Sequence, residues 1–111
     1  MMSVNTDIEE KSQDIINRLP EMVKKATLAH FKKDQVLFYK GHLPCGLFIL
    51  KKGRVSLPSE VMEKVFIADH QENILLGLNS FVCEKLYEET CRALDDVEVF
   101  FLSKSTINLR Y

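Results

Sequence analysis

From Thr27 onward the apolar residues come in short runs, and a glycine, a proline or a polar turn ends each run. "VLFYK" stops at Gly41, "LFILKK" at Gly53 and "RVSL" at Pro58. "TLAHF" precedes them across the turn-like "KKDQ". "KVFIAD" and "NILLGL" lie on either side of the polar turn His70 to Glu72. "SFVCEKL" reads as one or two helical turns, and "ETCRAL" and "VEVFFLS", joined at Asp95-Asp96, close the series. Runs of this length, bounded by turn residues, are strands. About seven of them at short intervals argue a β-sandwich, jelly roll or small barrel. The order in which they pair does not follow from one sequence.

Ahead of the strands the period changes. Ile8, Ile15, Ile16 and Leu19 form one stripe of a 3.6-residue repeat, so residues 7–18 are expected to be helical. Thr6 or Asp7 is the candidate cap, with Glu9 and Glu10 in the first turn. Pro20 breaks the pattern and suits the start of a second short helix ending near Lys25. The chain of 111 residues is expected to be one domain, 1–111, with a helical N-terminus at 7–26 and β-structure at 27–103. "SKSTINLRY" is expected to start a helix capped by Ser103 or Ser105.

Charge and composition narrow the function classes. Fifteen basic residues against sixteen acidic ones give a net charge of −1, without the basic surplus a nucleic-acid binder needs. The pairs Lys24-Lys25, Lys32-Lys33 and Lys51-Lys52 are read as solvated faces. The polar, acidic start of the chain shows no signal-peptide pattern, and no apolar run is long enough to span a membrane. Cys45, Cys83 and Cys91 are an odd count without a CxxC, which points to a reducing, cytoplasmic setting. Cys83 and Cys91 read as small buried hydrophobes and Cys45 as a turn residue. His30, His42 and His70 are scattered, with no metal-ligand spacing, and no nucleophile elbow occurs. The expectation is no enzyme, no catalytic residue and no metal site.

The stretch "FKKDQVLFYKGHLPCGLFILKKGRVSL" resembles the opening of a cyclic-nucleotide-binding domain of the catabolite-activator and kinase-regulatory-subunit type. Phe31, Leu37, Phe38, Gly41, Leu47, Phe48, Leu50, Gly53, Val55 and Leu57 match that pattern without a gap. "TCRALDDVEVFFLSKSTI" resembles the late strand pair of the same family, so the likeness covers about residues 16 to 108. It implies a β-roll: a mainly β, double-stranded β-helix or jelly roll of about 7–8 strands with N-terminal helices. Gly41 and Gly53 would then be turn positions that need positive φ or a close backbone approach, and Leu47, Leu50, Val55 and Leu57 would face the roll interior.

The resemblance also implies a pocket. In the family a glycine opens a short helix over a cyclic phosphate, the next residue is a glutamate for the ribose hydroxyl, and an arginine pairs with the phosphate. Here the matching segment is "GLNSFVCEKLYEETCRAL", with Gly77 as the glycine. Leu78 stands at the glutamate position and Tyr87 at the arginine position, while Glu88 and Glu89 replace small residues. A neutral phenol supplies no charge to a phosphate, and the carboxylates repel it. Arg92 is not expected to substitute, since Cys91 and Ala93 look like the interior pair of their strand. The candidate pocket is therefore Gly77, Leu78, Asn79, Ser80, Tyr87, Glu88 and Glu89. Cyclic AMP and cyclic GMP are not its favoured ligands, and no cofactor is expected.

The family commonly adds helices that cover the ligand, and sometimes a DNA-reading helix-turn-helix. Little follows Ser105 here, so the cover is expected to be missing or rudimentary and the DNA reader absent. What remains is a regulatory or interaction module acting through a protein partner or a homodimer. Ile8 and Ile15 are its candidate exposed contacts. The alternative is a sensor of cyclic nucleotides or another small molecule with an atypical pocket. An apolar or cationic ligand suits that lining better than a phosphate.

Overall fold

Residues 4–58 and 61–107 are described by the computed structural model, with backbone alone for 4–6. The strands are β1 (Thr27–Phe31), β2 (Val36–Phe38), β3 (Gly46–Lys52), β4 (Arg54–Pro58), β5 (Glu63–Ile67), β6 (Ile74–Leu76), β7 (Cys91–Ala93) and β8 (Val97–Ser103). They form two four-stranded antiparallel sheets, ordered β1-β8-β3-β6 and β2-β7-β4-β5. The result is mainly β in the expected jelly-roll manner. Gly41 and Gly53 both have positive φ, 89° and 90°, as their turn roles require.

The helices are α1 (Val4–Met22), followed by a 3₁₀ turn (Val23–Lys25), then α2 (Leu78–Val82) and α3 (Lys104–Ile107). They cover the outer face of the first sheet over β3 and the end of β8, where Leu47, Ile49 and Leu102 are buried, while β1 stays largely exposed. Strand alternation sends Phe48 and Leu50 inward and Leu47 and Ile49 outward. Leu47 was expected in the roll interior. It is instead fully buried under the helices, with Ile49, Leu102, Phe81, Val82 and Ile107. The roll interior holds Leu37, Phe38, Leu50, Val55, Leu57, Leu76, Cys91, Ala93, Val97 and Val99.

The N-terminal helices differ from the expectation in three ways. The helix begins at Val4, so neither Thr6 nor Asp7 caps it; Asp7 lies in the first turn and pairs with Lys11 at 3.4 Å. Pro20 does not end the helix. It sits on the exposed side, where one missing hydrogen bond is tolerated, while Leu19 and Met22 anchor the turn to the sheet. Ile15 is completely buried and Ile8 is half-buried against the same cluster, so neither is an exposed contact. Arg18 ties the layer together, donating to Asp14 at 2.9 Å and to the Ile107 carbonyl of α3. Ser103 caps α3 by accepting from the Thr106 N–H at 3.2 Å; the expected helix past Ile107 lies outside the described residues.

Candidate functional site

Beside Gly77 lies a cavity of about 420 Å³ with lining residues from both apolar clusters. Its lining includes all seven residues singled out from the sequence, Gly77, Leu78, Asn79, Ser80, Tyr87, Glu88 and Glu89. Phe38, Leu57, Lys64 and Leu75 complete the wall. The volume falls in the range of small-molecule pockets, about 300–1,000 Å³.

Local backbone chemistry sets the walls. Gly77, at φ 79°, turns β6 into α2 and accepts the Phe81 N–H at 3.1 Å. That places Leu78, Asn79 and Ser80 on the cavity and turns Phe81 and Val82 toward α1. The Tyr87 N–H donates to the His42 carbonyl and the Gly41 N–H donates to the Tyr87 carbonyl, each at 2.9 Å. These two bonds pin Tyr87 to the turn after β2.

Tyr87 is a packed residue. Its ring stacks on Phe38 with centroids 3.9 Å apart and planes 17° from parallel. Phe38 in turn stacks on Phe48 at 5.9 Å. A Cβ added at Gly77 would stand 2.8 Å from the Tyr87 ring, so only glycine admits the ring this close. Burial pushes the phenol up to about 12, so it is neutral at physiological pH. Burial likewise pushes the Cys91 thiol up to about 12, with Glu89 adding a smaller repulsion.

These two groups predict an alkaline loss of stability. In the native protein both keep their protons after the unfolded chain has lost them, at about pH 9 to 10. The native state then binds more protons than the unfolded one, so stability is full below about pH 9 and falls through about pH 12. The limiting slope is about 1.4 kcal/mol per pH unit for each group. Urea unfolding from pH 8 upward should show the decline, and Tyr87→Phe should remove the tyrosine share while keeping the ring stack. An unchanged pH slope in that variant would count against a neutral, desolvated phenol.

The carboxylates are unequal. Glu88 pairs with Lys85 at 3.0 Å, and this bond holds its carboxyl below the usual range. Glu89 is half-buried at the cavity wall. Arg92 faces away as expected. Its guanidinium donates to the Asp34 carbonyl at 2.8 Å on the outer side, while Cys91 and Ala93 are fully buried inside. Cys83 is half-buried rather than buried, because it ends α2, where its thiol reaches the Asn79 carboxamide at 3.6 Å.

Lys64 was not read as a cavity residue. β5 alternates with its inner face at Lys64 and Phe66, which pair in register with Leu57 and Val55 of β4. The usable signal was Phe66: a strand that buries it must turn Lys64 the same way. Elsewhere, His30 is exposed on β1 with Nδ1 3.6 Å from Glu98. Among the described residues, no His/Cys/Asp/Glu group is arranged to hold a metal ion. No described helix is long and apolar enough to cross a membrane.

The family model of the cyclic nucleotide-binding domain matches residues 28–108. The chain belongs to this family. The chain also resembles solved structures. The catabolite activator protein of Thermus thermophilus matches with a TM-score of 0.65 and 18% identity, over 81% of this chain and 43% of that one. The N-terminal domain of a transcriptional regulator from Streptomyces coelicolor A3(2) matches with a TM-score of 0.62 and 20% identity, over 81% and 64%. The EAL enzyme Bd1971 in its cAMP-bound form matches with a TM-score of 0.60 and 21% identity, over 73% and 22%. The chain spans less than two thirds of each of these three, and at such identities the likeness is one of fold. No curated protein matches it.

Proposed function

We propose that this cyclic nucleotide-binding domain is a non-enzymatic regulatory module that does not hold cyclic AMP or cyclic GMP in the family's usual manner. The observation that carries this reading is Tyr87. A buried, neutral ring stacked on Phe38 stands where the resemblance places the phosphate-pairing arginine. Leu78 occupies the glutamate position, and Arg92 is engaged outside the cavity. Each missing charge-assisted hydrogen bond forgoes about 1.5–3 kcal/mol, and about 1.4 kcal/mol is a tenfold change in affinity. Calorimetric titration with either cyclic nucleotide is expected to give a Kd in the millimolar range or weaker. Micromolar binding of cyclic AMP would sink this reading.

Such a module acts through other molecules. β5 is an edge strand, and its outer face exposes Val65 and Ile67, 48% and 62% accessible. An open edge with apolar side chains supports a protein partner or a second copy of the chain. The net charge of −1 favours a protein over nucleic acid, and the unpaired cysteines are compatible with a cytoplasmic setting.

A second reading is favoured by the cavity itself. A space of about 420 Å³ with Phe38, Leu57, Leu75 and Leu78 on its wall supports a sensor of some other small molecule.

A further inference from the structure

Two opposite charges line the cavity without meeting each other. Lys64 enters from the inner face of β5, and Glu89 from the segment just before β7. Both also line the wider groove that continues outward past Gly41, Pro58 and Leu86. Among the described residues neither side chain makes an ion pair or a hydrogen bond. Glu88, the other carboxylate on this wall, is taken by Lys85 at 3.0 Å. Lys64 lies near enough to Glu88 to help hold that carboxyl low, but pairs with neither carboxylate, so one cation and one half-buried anion, Glu89, remain on a wall that also carries Phe38, Leu57, Leu75 and Leu78.

This arrangement sorts ligands by charge. A ligand of single negative charge gains Lys64 but meets Glu89, and a singly positive one meets the reverse conflict. A molecule bearing both charges on an apolar body satisfies each side chain and covers Phe38, Leu57, Leu75 and Leu78. Resting on the reading of the cavity as a ligand site, we propose that it takes a zwitterion of the amino-acid class with a large apolar side chain. The ammonium group is set on Glu89 and the carboxylate on Lys64.

The test uses the full chain and three probes of one shape: L-phenylalanine, 3-phenylpropionate and 2-phenylethylamine, with cyclic AMP as a fourth. Calorimetry and thermal shift are expected to show the amino acid binding about tenfold or more tightly than either single-charge probe. Lys64→Gln should erase the preference over the amine, and Glu89→Gln the preference over the carboxylate. Both positions are at least partly exposed, so melting curves should confirm that the variants fold. Equal binding of a single-charge probe overturns the proposal, as does a preference that survives both substitutions. Binding of cyclic AMP without L-phenylalanine overturns it while leaving the cavity a ligand site. No binding by any of the four removes the sensor reading together with the proposal.

Discussion

A chain carrying Leu78→Glu, Tyr87→Arg, Glu88→Ala and Glu89→Ala is expected to bind cyclic AMP about a thousandfold or more tightly than the natural one. The new arginine and glutamate each offer a charge-assisted hydrogen bond of about 1.5–3 kcal/mol. Removing the carboxylates relieves about 1 kcal/mol or more of repulsion at close range. Even with a discount for non-additivity, about 4 kcal/mol remains, which is about three powers of ten. The scaffold is already placed for it. Residue 87 is fixed by its backbone bonds to Gly41 and His42, and a guanidinium can stack on Phe38 as the phenol does now. Titration calorimetry reads the gain, with Tyr87→Arg alone expected to give only part of it. A variant that melts cooperatively yet stays silent toward cyclic AMP would show that the altered side chains are not what keeps the nucleotide out.

Gly53→Ala should cost about 3 kcal/mol or more, a large share of the roughly 5–15 kcal/mol that holds a domain of this kind together. Gly53 joins β3 to β4 with φ 90°, a conformation that costs an L-residue about 1–2 kcal/mol. The added Cβ would also stand 2.3 Å from the Asp96 carbonyl and 2.8 Å from the Asp95 carboxylate. The first of these is backbone, so no rotamer relieves it. Shifting the Asp95-Asp96 turn disturbs the bonds from the Arg54 N–H and Nε to Asp95, at 2.8 and 2.9 Å, and that from the Leu94 N–H to the Arg54 carbonyl. Gly41→Ala is the control. Its φ is 89°, but nothing lies within 4 Å of its Cβ, so only the torsional cost of about 1–2 kcal/mol applies. Urea unfolding of the two variants measures the difference. Equal losses would mean that the Asp96 carbonyl yields without cost.

Much of the candidate site was legible because it is local. Gly77 and the residues after it share one turn and one short helix, and Tyr87, Glu88 and Glu89 share the segment leading into β7. Alternation alone separated Arg92 from Cys91 and Ala93. Lys64 escaped because its place depends on how β5 pairs with β4. Pro20 misled for a related reason. A rule about one hydrogen bond gave way to the packing of Leu19 and Met22 against the sheet.

The order of residues by itself determined where the chain extends and where it turns, because glycine, proline and the two-residue apolar period act within a few bonds of each other. Only the tertiary structure decided which face of each strand lies under which layer. In β3, Leu47 and Leu50 are equally apolar, yet one lies beneath the helices and the other inside the roll. An alternating pattern gives two faces and no label for either. The label comes from α1, α2 and α3 folding back over the first sheet, a contact between segments far apart in the chain. The same long-range packing set Tyr87 against Phe38 and brought Lys64 to the cavity wall with Gly77.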